Sequence, residues 1–117
     1  DTKQRELDVW AILTRHDNQF IGTCAAVYNF RGGTELGYRL DDPYWGKGYA
    51  SETTKGLIDY SFAHMDSDLL IARADKQNIA SCRILKKFMR FQNEEFNEED
   101  QCMDLVFHLR REDWVKR

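Results

Sequence analysis

Gly46-Lys47-Gly48-Tyr49-Ala50 stands at the head of a long segment with helical spacing. A phosphate group is held by several backbone N–H donors converging on it, and a glycine-bearing turn that opens a helix supplies them, with the positive end of the helix dipole behind. The glycines let the backbone approach a ligand or take a positive φ, and Lys47 adds a formal charge. The same two glycines would also suit a plain strand-to-helix turn, and spacing alone does not separate the two readings. His16, His64 and His108 fall on a turn, a helix end and a strand, without acidic or cysteine neighbours at ligand spacing. Cys24, Cys82 and Cys102 are too widely spaced for a zinc or redox motif. No metal site is expected.

The elements that must position this turn can be read from periodicity. Glu6 to Thr14 and Phe20 to Asn29 are rich in Leu, Val, Ile, Trp and Phe and flank the polar turn Arg15-His16-Asp17-Asn18-Gln19, as a hairpin would. After Arg31-Gly32-Gly33, Thr34 to Leu40 alternates: Leu36, Tyr38 and Leu40 share one face, Glu35, Gly37 and Arg39 the other. Asp41-Asp42-Pro43 breaks that strand. From the glycine turn to Met65, the residues Leu57, Ile58, Phe62 and Met65 recur at helical spacing. Leu69 to Ala72 is a short apolar run suited to a strand buried on both faces. Asn78 is a good N-cap for a second helix that would bury Ile79, Cys82, Leu85 and Phe88 and expose Arg83, Lys86 and Lys87. Arg90 to Phe96 and Cys102 to Leu109 complete a final hairpin around the acidic loop Asn97-Glu98-Glu99-Asp100-Gln101.

In this order, ELGYRL, then YWGKGYASE, then NIASCRILKK, the chain resembles the ribosomal-protein (RimJ/RimL-type) branch of the GNAT N-acetyltransferases, from about Phe20 to Leu109. The resemblance implies an α/β (α+β) fold: a mixed, mostly antiparallel sheet whose central parallel strand pair splays around the cofactor, with two main helices. It also implies acetyl-coenzyme A as co-substrate. In the family the backbone amides of the glycine turn hold the coenzyme A pyrophosphate, which maps onto Trp45, Gly46, Lys47, Gly48, Tyr49, Ala50 and Ser51. Trp45 stands where many members have Gln or Arg.

The same resemblance assigns the pantetheine arm to the gap beside Leu36, Gly37, Tyr38, Arg39 and Leu40. A neutral amine would attack the acetyl thioester directly, giving a tetrahedral intermediate whose oxyanion needs a backbone N–H donor, expected near Tyr38. An α-amino group, with a pKa of about 7.7 to 8.0, loses its proton more readily than a lysine at about 10.4. Glu35, on the strand beside the expected thioester, is the candidate base; its alternative is a solvated strand carboxylate. Ser81 matches the serine that family members keep near the coenzyme A sulfur, where it can protonate the departing thiolate, and Asn78 would anchor the pantetheine amides. Both residues also suit helix capping, and the two roles can coexist in Asn78. Glu52, in a first helical turn, is read as a partner of the helix dipole.

Two departures from the family stand out. Members usually carry a strand and two helices ahead of the hairpin that opens this chain, forming one wall of the acceptor site. Their absence leaves three readings: a fragment, a wall supplied by a partner chain, or cofactor binding without efficient turnover. Lys87-Phe88-Met89-Arg90-Phe91 lacks the Leu-Gly that commonly precedes Met-Arg-Phe, so the helix exit should differ.

Composition narrows the function classes. With 117 residues, 42% of them apolar, one domain spanning 1–117 is expected. The net charge of -3 is interspersed, unlike the one-sided basic footprint of a nucleic-acid binder. The charged opening DTKQRELD is unlike a secretory signal, and no apolar run approaches the length of a membrane span, so a cytoplasmic enzyme is expected. The expected function is acetyl transfer to a primary amine, either a protein N-terminal α-amine or a small molecule such as a polyamine. A non-catalytic acyl-coenzyme A-binding or interaction module, pairing with a second copy through an edge strand as a homodimer, is the alternative. The stretch Glu94 to Asp100 is a solvated loop on the plain reading and an attractor of cationic acceptors on the sharper one.

Overall fold

The computed structural model describes residues 7–15, 17–29, 33–40 and 46–115. Elements follow in the order β1 (Leu7–Leu13), β2 (Phe20–Asn29), β3 (Gly33–Leu40), α1 (Tyr49–His64), β4 (Leu69–Asp75), α2 (Ile79–Phe88), β5 (Arg90–Asn97), β6 (Cys102–Arg110) and α3 (Arg111–Val115). The strands form one sheet in the order β1-β2-β3-β4-β6-β5. β3 and β4 run parallel, joined by the α1 crossover, and every other neighbouring pair is antiparallel. This is the mixed, mostly antiparallel α/β fold expected from the sequence.

Strand alternation sorts the side chains between the two faces. Ala26, Leu36, Leu70, Ala72, Phe107 and Leu109 join Leu57, Ile58, Phe62 and Met65 of the α1 region, and Leu85 and Met89 of the α2 region, in one buried cluster, so both main helices cover the same face. Glu35, Gly37 and Arg39 of β3 therefore lie on the other face, with Arg73 of β4 and His108 of β6. Gly22 answers to close strand approach, since a Cβ there would run into the carbonyl oxygen of Arg39 on β3.

The helix ends are handled differently. Gly48 caps α1 with φ 87°, and among the described residues no side chain makes a capping hydrogen bond there. At the other end Arg111 donates to the carbonyls of Phe62 (2.6 Å), Met65 (3.0 Å) and Ser67 (2.8 Å), satisfying groups that a helix C-terminus leaves open. In α2, the Asn78 side chain accepts from the Ser81 N–H at 3.2 Å, the expected N-cap. The helix leaves without a left-handed residue: Met89 is already extended, its N–H bonded to Leu85 O at 2.7 Å, and β5 begins at once.

One burial expectation is corrected. Cys82 and Leu85 face the core and Phe88 packs against it, but Ile79 is 66% exposed. It lies in the first turn, four residues after β4 ends, where α2 has not yet passed over the sheet.

Candidate functional site

The β3–β4 ladder is short. Thr34 pairs with Leu70, Glu35 with Ile71 and Leu36 with Ala72, and there the pairing stops, although β3 continues to Leu40 and β4 to Asp75. Each strand stays paired on its outer side, Gly37 to Ala25 of β2 and Arg73 to Val106 of β6, so neither is free to close the gap. The two strands splay, leaving a cleft of about 230 Å³ whose walls are Leu36, Gly37 and Tyr38 on one side and Ala72, Arg73 and Ala74 on the other. Asn78, Ser81, Leu85 and Met89 from the α2 region and Thr54 and Leu57 from α1 complete the lining.

One feature of this cleft suits a ligand. The Tyr38 hydroxyl is buried with no hydrogen-bond partner among the described residues, a costly state for a polar group that a ligand or water would relieve. Gly37 is exposed on the other face where the strands part, and a Cβ there would meet no atom within 4 Å.

Above the cleft stands the start of α1. Gly46 and Gly48 have φ of 76° and 87°, which explains both glycines by the left-handed turn they make. The first bond of α1 runs from the Glu52 N–H to Gly48 O at 3.1 Å, so the Ala50 and Ser51 amides head the helix without intrahelical partners. Lys47 is exposed beside them. A helix terminus of this kind leaves amides open to an anion, and Thr54, which lines the cleft, bonds back to Ala50 O at 2.8 Å.

The residues singled out by sequence divide between these regions. Leu36, Gly37, Tyr38, Asn78 and Ser81 line the cleft, and Gly46 to Ser51 form the turn and helix start. Leu40 is buried in the core region, and Arg39 is exposed on the opposite face. Trp45 lies outside the described residues. Glu35 sits on the face away from the helices, its carboxylate accepting from Arg73 Nε at 3.1 Å.

Arg73 itself was missed. It also donates through Nη1 to Glu95 of β5, so one guanidinium links three strands. Burial works against its charge, and the two carboxylates outweigh burial, raising its pKa above the ordinary arginine value. Its signal was an arginine between two alanines in a strand the periodicity ended at Ala72. Beside it on β6, His108 is held below the usual histidine range by burial, then by Arg110 and Arg73.

The cysteines are poor nucleophiles. Burial pushes the Cys24 and Cys82 thiols up, and Cys102 is pushed up to about 11, by desolvation first and then by Asp104, which lies within hydrogen-bonding reach of its sulfur at 3.5 Å. No described helix is long and apolar enough to cross a membrane.

A cleft between splayed parallel strands, headed by a glycine-turn helix terminus, is what the sequence resemblance led us to expect, and comparison with known proteins agrees. Residues 1–88 match the family model described as an acetyltransferase (GNAT) domain. An uncharacterized N-acetyltransferase of Bacillus licheniformis is 33% identical over 87 residues, covering 73% of this chain and 48% of that protein. The chain spans about half the length of the relatives it matches in sequence. Among solved structures, a ribosomal-protein-S5-alanine acetyltransferase from Vibrio fischeri superposes with a TM-score of 0.81 at 18% identity, covering 97% of this chain and 65% of that one. A spermidine N-acetyltransferase from Vibrio cholerae also reaches 0.81, at 13% identity, covering 95% and 69%. These two similarities concern the fold. On the family match over three-quarters of its length, the chain belongs to the GNAT acetyltransferases.

Proposed function

We propose that the protein transfers an acetyl group from acetyl-coenzyme A to a primary amine, either a peptide α-amine or a small-molecule amine. The observation that carries this reading is the ladder break after Leu36 and Ala72, which opens a cleft lined by Tyr38, whose hydroxyl is unpartnered among the described residues. Acetyl-coenzyme A would supply the activated acetyl thioester. The chain's own groups suit each requirement of holding and using it. The amides at Ala50 and Ser51, with Lys47, offer a seat for a pyrophosphate. Gly37 and Tyr38 offer backbone groups along the open edge of β3, where a hydrogen-bond donor can also meet developing oxyanion charge. Ser81, half-buried in the cleft wall, offers a hydroxyl to a departing sulfur.

Glu35 is the group proposed to take the proton from the acceptor amine, directly or through water. It is reached from the face of the sheet away from the helices, so donor and acceptor would approach from opposite sides and meet where the strands part. The raised cysteine pKa values support direct transfer to the amine over a thiol-bound acetyl enzyme. Relatives of this fold whose names specify spermidine or a ribosomal-protein alanine as acceptor support an amine.

Calorimetric titration with acetyl-coenzyme A, free coenzyme A and a nicotinamide dinucleotide tests the reading, with Gly48→Val alongside. Selective binding of the two coenzyme A species, lost in the variant, followed by acetylation of a primary amine, is expected. Absence of coenzyme A binding refutes the proposal, and binding without transfer to any amine leaves an acyl-coenzyme A-binding module.

A further inference from the structure

We propose that Arg73 is a positioning residue for acetyl transfer, holding the Glu35 carboxylate at the point where the cofactor cleft opens onto the acceptor face. The inference rests on the proposed role of Glu35 as proton acceptor.

Arg73 is the first β4 residue beyond the last β3–β4 bridge. Its neighbours Ala72 and Ala74 point with the helices into the cleft, and alternation sends its own side chain to the other face. There Nε donates to Glu35 on β3 and Nη1 to Glu95 on β5. Between Arg73 and Glu95 lies β6, whose Val106 sits opposite Arg73 in the sheet. The planar fork of a guanidinium can serve two carboxylates on opposite sides at once, whereas an ammonium is a single point of charge.

Stability alone is a weak reason for such a triad. The side chains of Arg73, Glu35 and Glu95 are 31%, 36% and 42% exposed, a setting in which ion pairs contribute on the order of 0 to 1 kcal/mol. Position is the stronger reason. A glutamate carboxylate turns about three side-chain torsions, and Arg73 confines Glu35 to one place beside the ladder break. One guanidinium between two carboxylates leaves the triad itself with a net negative charge, on a face that also carries Arg39, Arg90 and Arg110. The neighbouring carboxylates are engaged elsewhere, Asp104 with Asn97 and Asp75 with the Gln77 N–H. His108 adds little positive charge near neutral pH.

The test uses the protein and its variants Arg73→Gln, Arg73→Lys and Glu95→Gln, with acetyl-coenzyme A as donor and spermidine or an alanine-initiated peptide as acceptor. For Arg73→Gln, kcat should fall about 10- to 100-fold, as expected when a general base is misplaced, while the Kd for acetyl-coenzyme A changes less than about twofold. Arg73→Lys should recover part of the loss, because it restores charge without the fork. Glu95→Gln, which leaves Arg73 in place and removes its outer anchor, should lower kcat by a smaller factor; it also provides the test if Arg73→Gln does not fold. Unchanged kcat in Arg73→Gln, or in Glu95→Gln where that variant stands in, overturns the inference alone, as does a loss accompanied by an equal loss of acetyl-coenzyme A affinity. If the unsubstituted protein acetylates neither acceptor, the transferase reading and the role of Arg73 fall together.

Discussion

Leu36 and Ala72 form the last bridge between β3 and β4, and the cleft begins where that bridge ends. Gly37 is the next residue on β3, and a Cβ there would meet no protein atom within 4 Å. Its φ is not in the left-handed region, so a β-branched side chain suits the strand. Gly37→Val should therefore leave the melting temperature unchanged or raise it, since glycine weakens a strand by roughly 0.5 to 1 kcal/mol. Because that Cβ points to the exposed face away from the helices, from which the acceptor is proposed to approach, the same change should leave acetyl-coenzyme A affinity within about twofold and raise the acceptor KM about tenfold by crowding its path. Thermal melting, calorimetry and steady-state kinetics read these effects separately, and an unchanged acceptor KM would place the acceptor elsewhere.

Ser81 can be divided into two functions because its backbone and side chain do different things. Its N–H is held by Asn78 Oδ1 at 3.2 Å, while the residue lines the cleft. Ser81→Ala keeps the cap and removes the hydroxyl. We expect coenzyme A affinity to hold within about twofold and kcat to drop about tenfold or more, as for loss of a general acid. Asn78→Ala, by contrast, should destabilise the protein by about 0.5 to 2 kcal/mol through loss of the N-cap. Equal losses of binding and turnover in the serine variant would remove it from the chemistry.

Much of this arrangement was legible from local pattern. Leu57, Ile58, Phe62 and Met65 repeat with the period of a helix and are buried together; Leu36 and Leu40 alternate with exposed Gly37 and Arg39 as strand geometry demands. The glycine turn could be located, and its left-handed φ values follow from the residue type. What local pattern could not supply was anything assembled by crossovers. Arg73 meets Glu35 across 38 positions of sequence and Glu95 across 22, and no periodicity links them. Arg111 is similar: it caps α1 from the far end of the chain, 49 residues after Phe62. Helix α3, at five residues, is too short to show a period. Ile79 was misjudged because helical spacing places it in line with Cys82 but does not say where the sheet beneath stops.

His108 gives a pH signature that can be measured without substrate. It stands on β6 opposite Ile71 of β4 and Arg90 of β5, with Arg110 two residues along its own strand and Arg73 nearby on β4. Burial first, then Arg110 and Arg73, lowers its pKa below the ordinary histidine value of about 6.5. In the window between the lowered value and about 6.5, the unfolded chain binds more protons at this residue than the folded one, so stability rises with pH there. The contribution is fully present above about 6.5 and is lost as pH falls through the lowered value. The melting temperature should accordingly decline on acidification from about pH 7.5 to about pH 5.5, and His108→Gln should remove part of that decline. Imidazole proton shifts followed by NMR should give a midpoint below about 6.5, moving upward in Arg73→Gln without reaching the free value, because burial is the largest cause. A midpoint at or above about 6.5 in the unsubstituted protein would mean that the imidazole is neither desolvated nor faced by these two arginines.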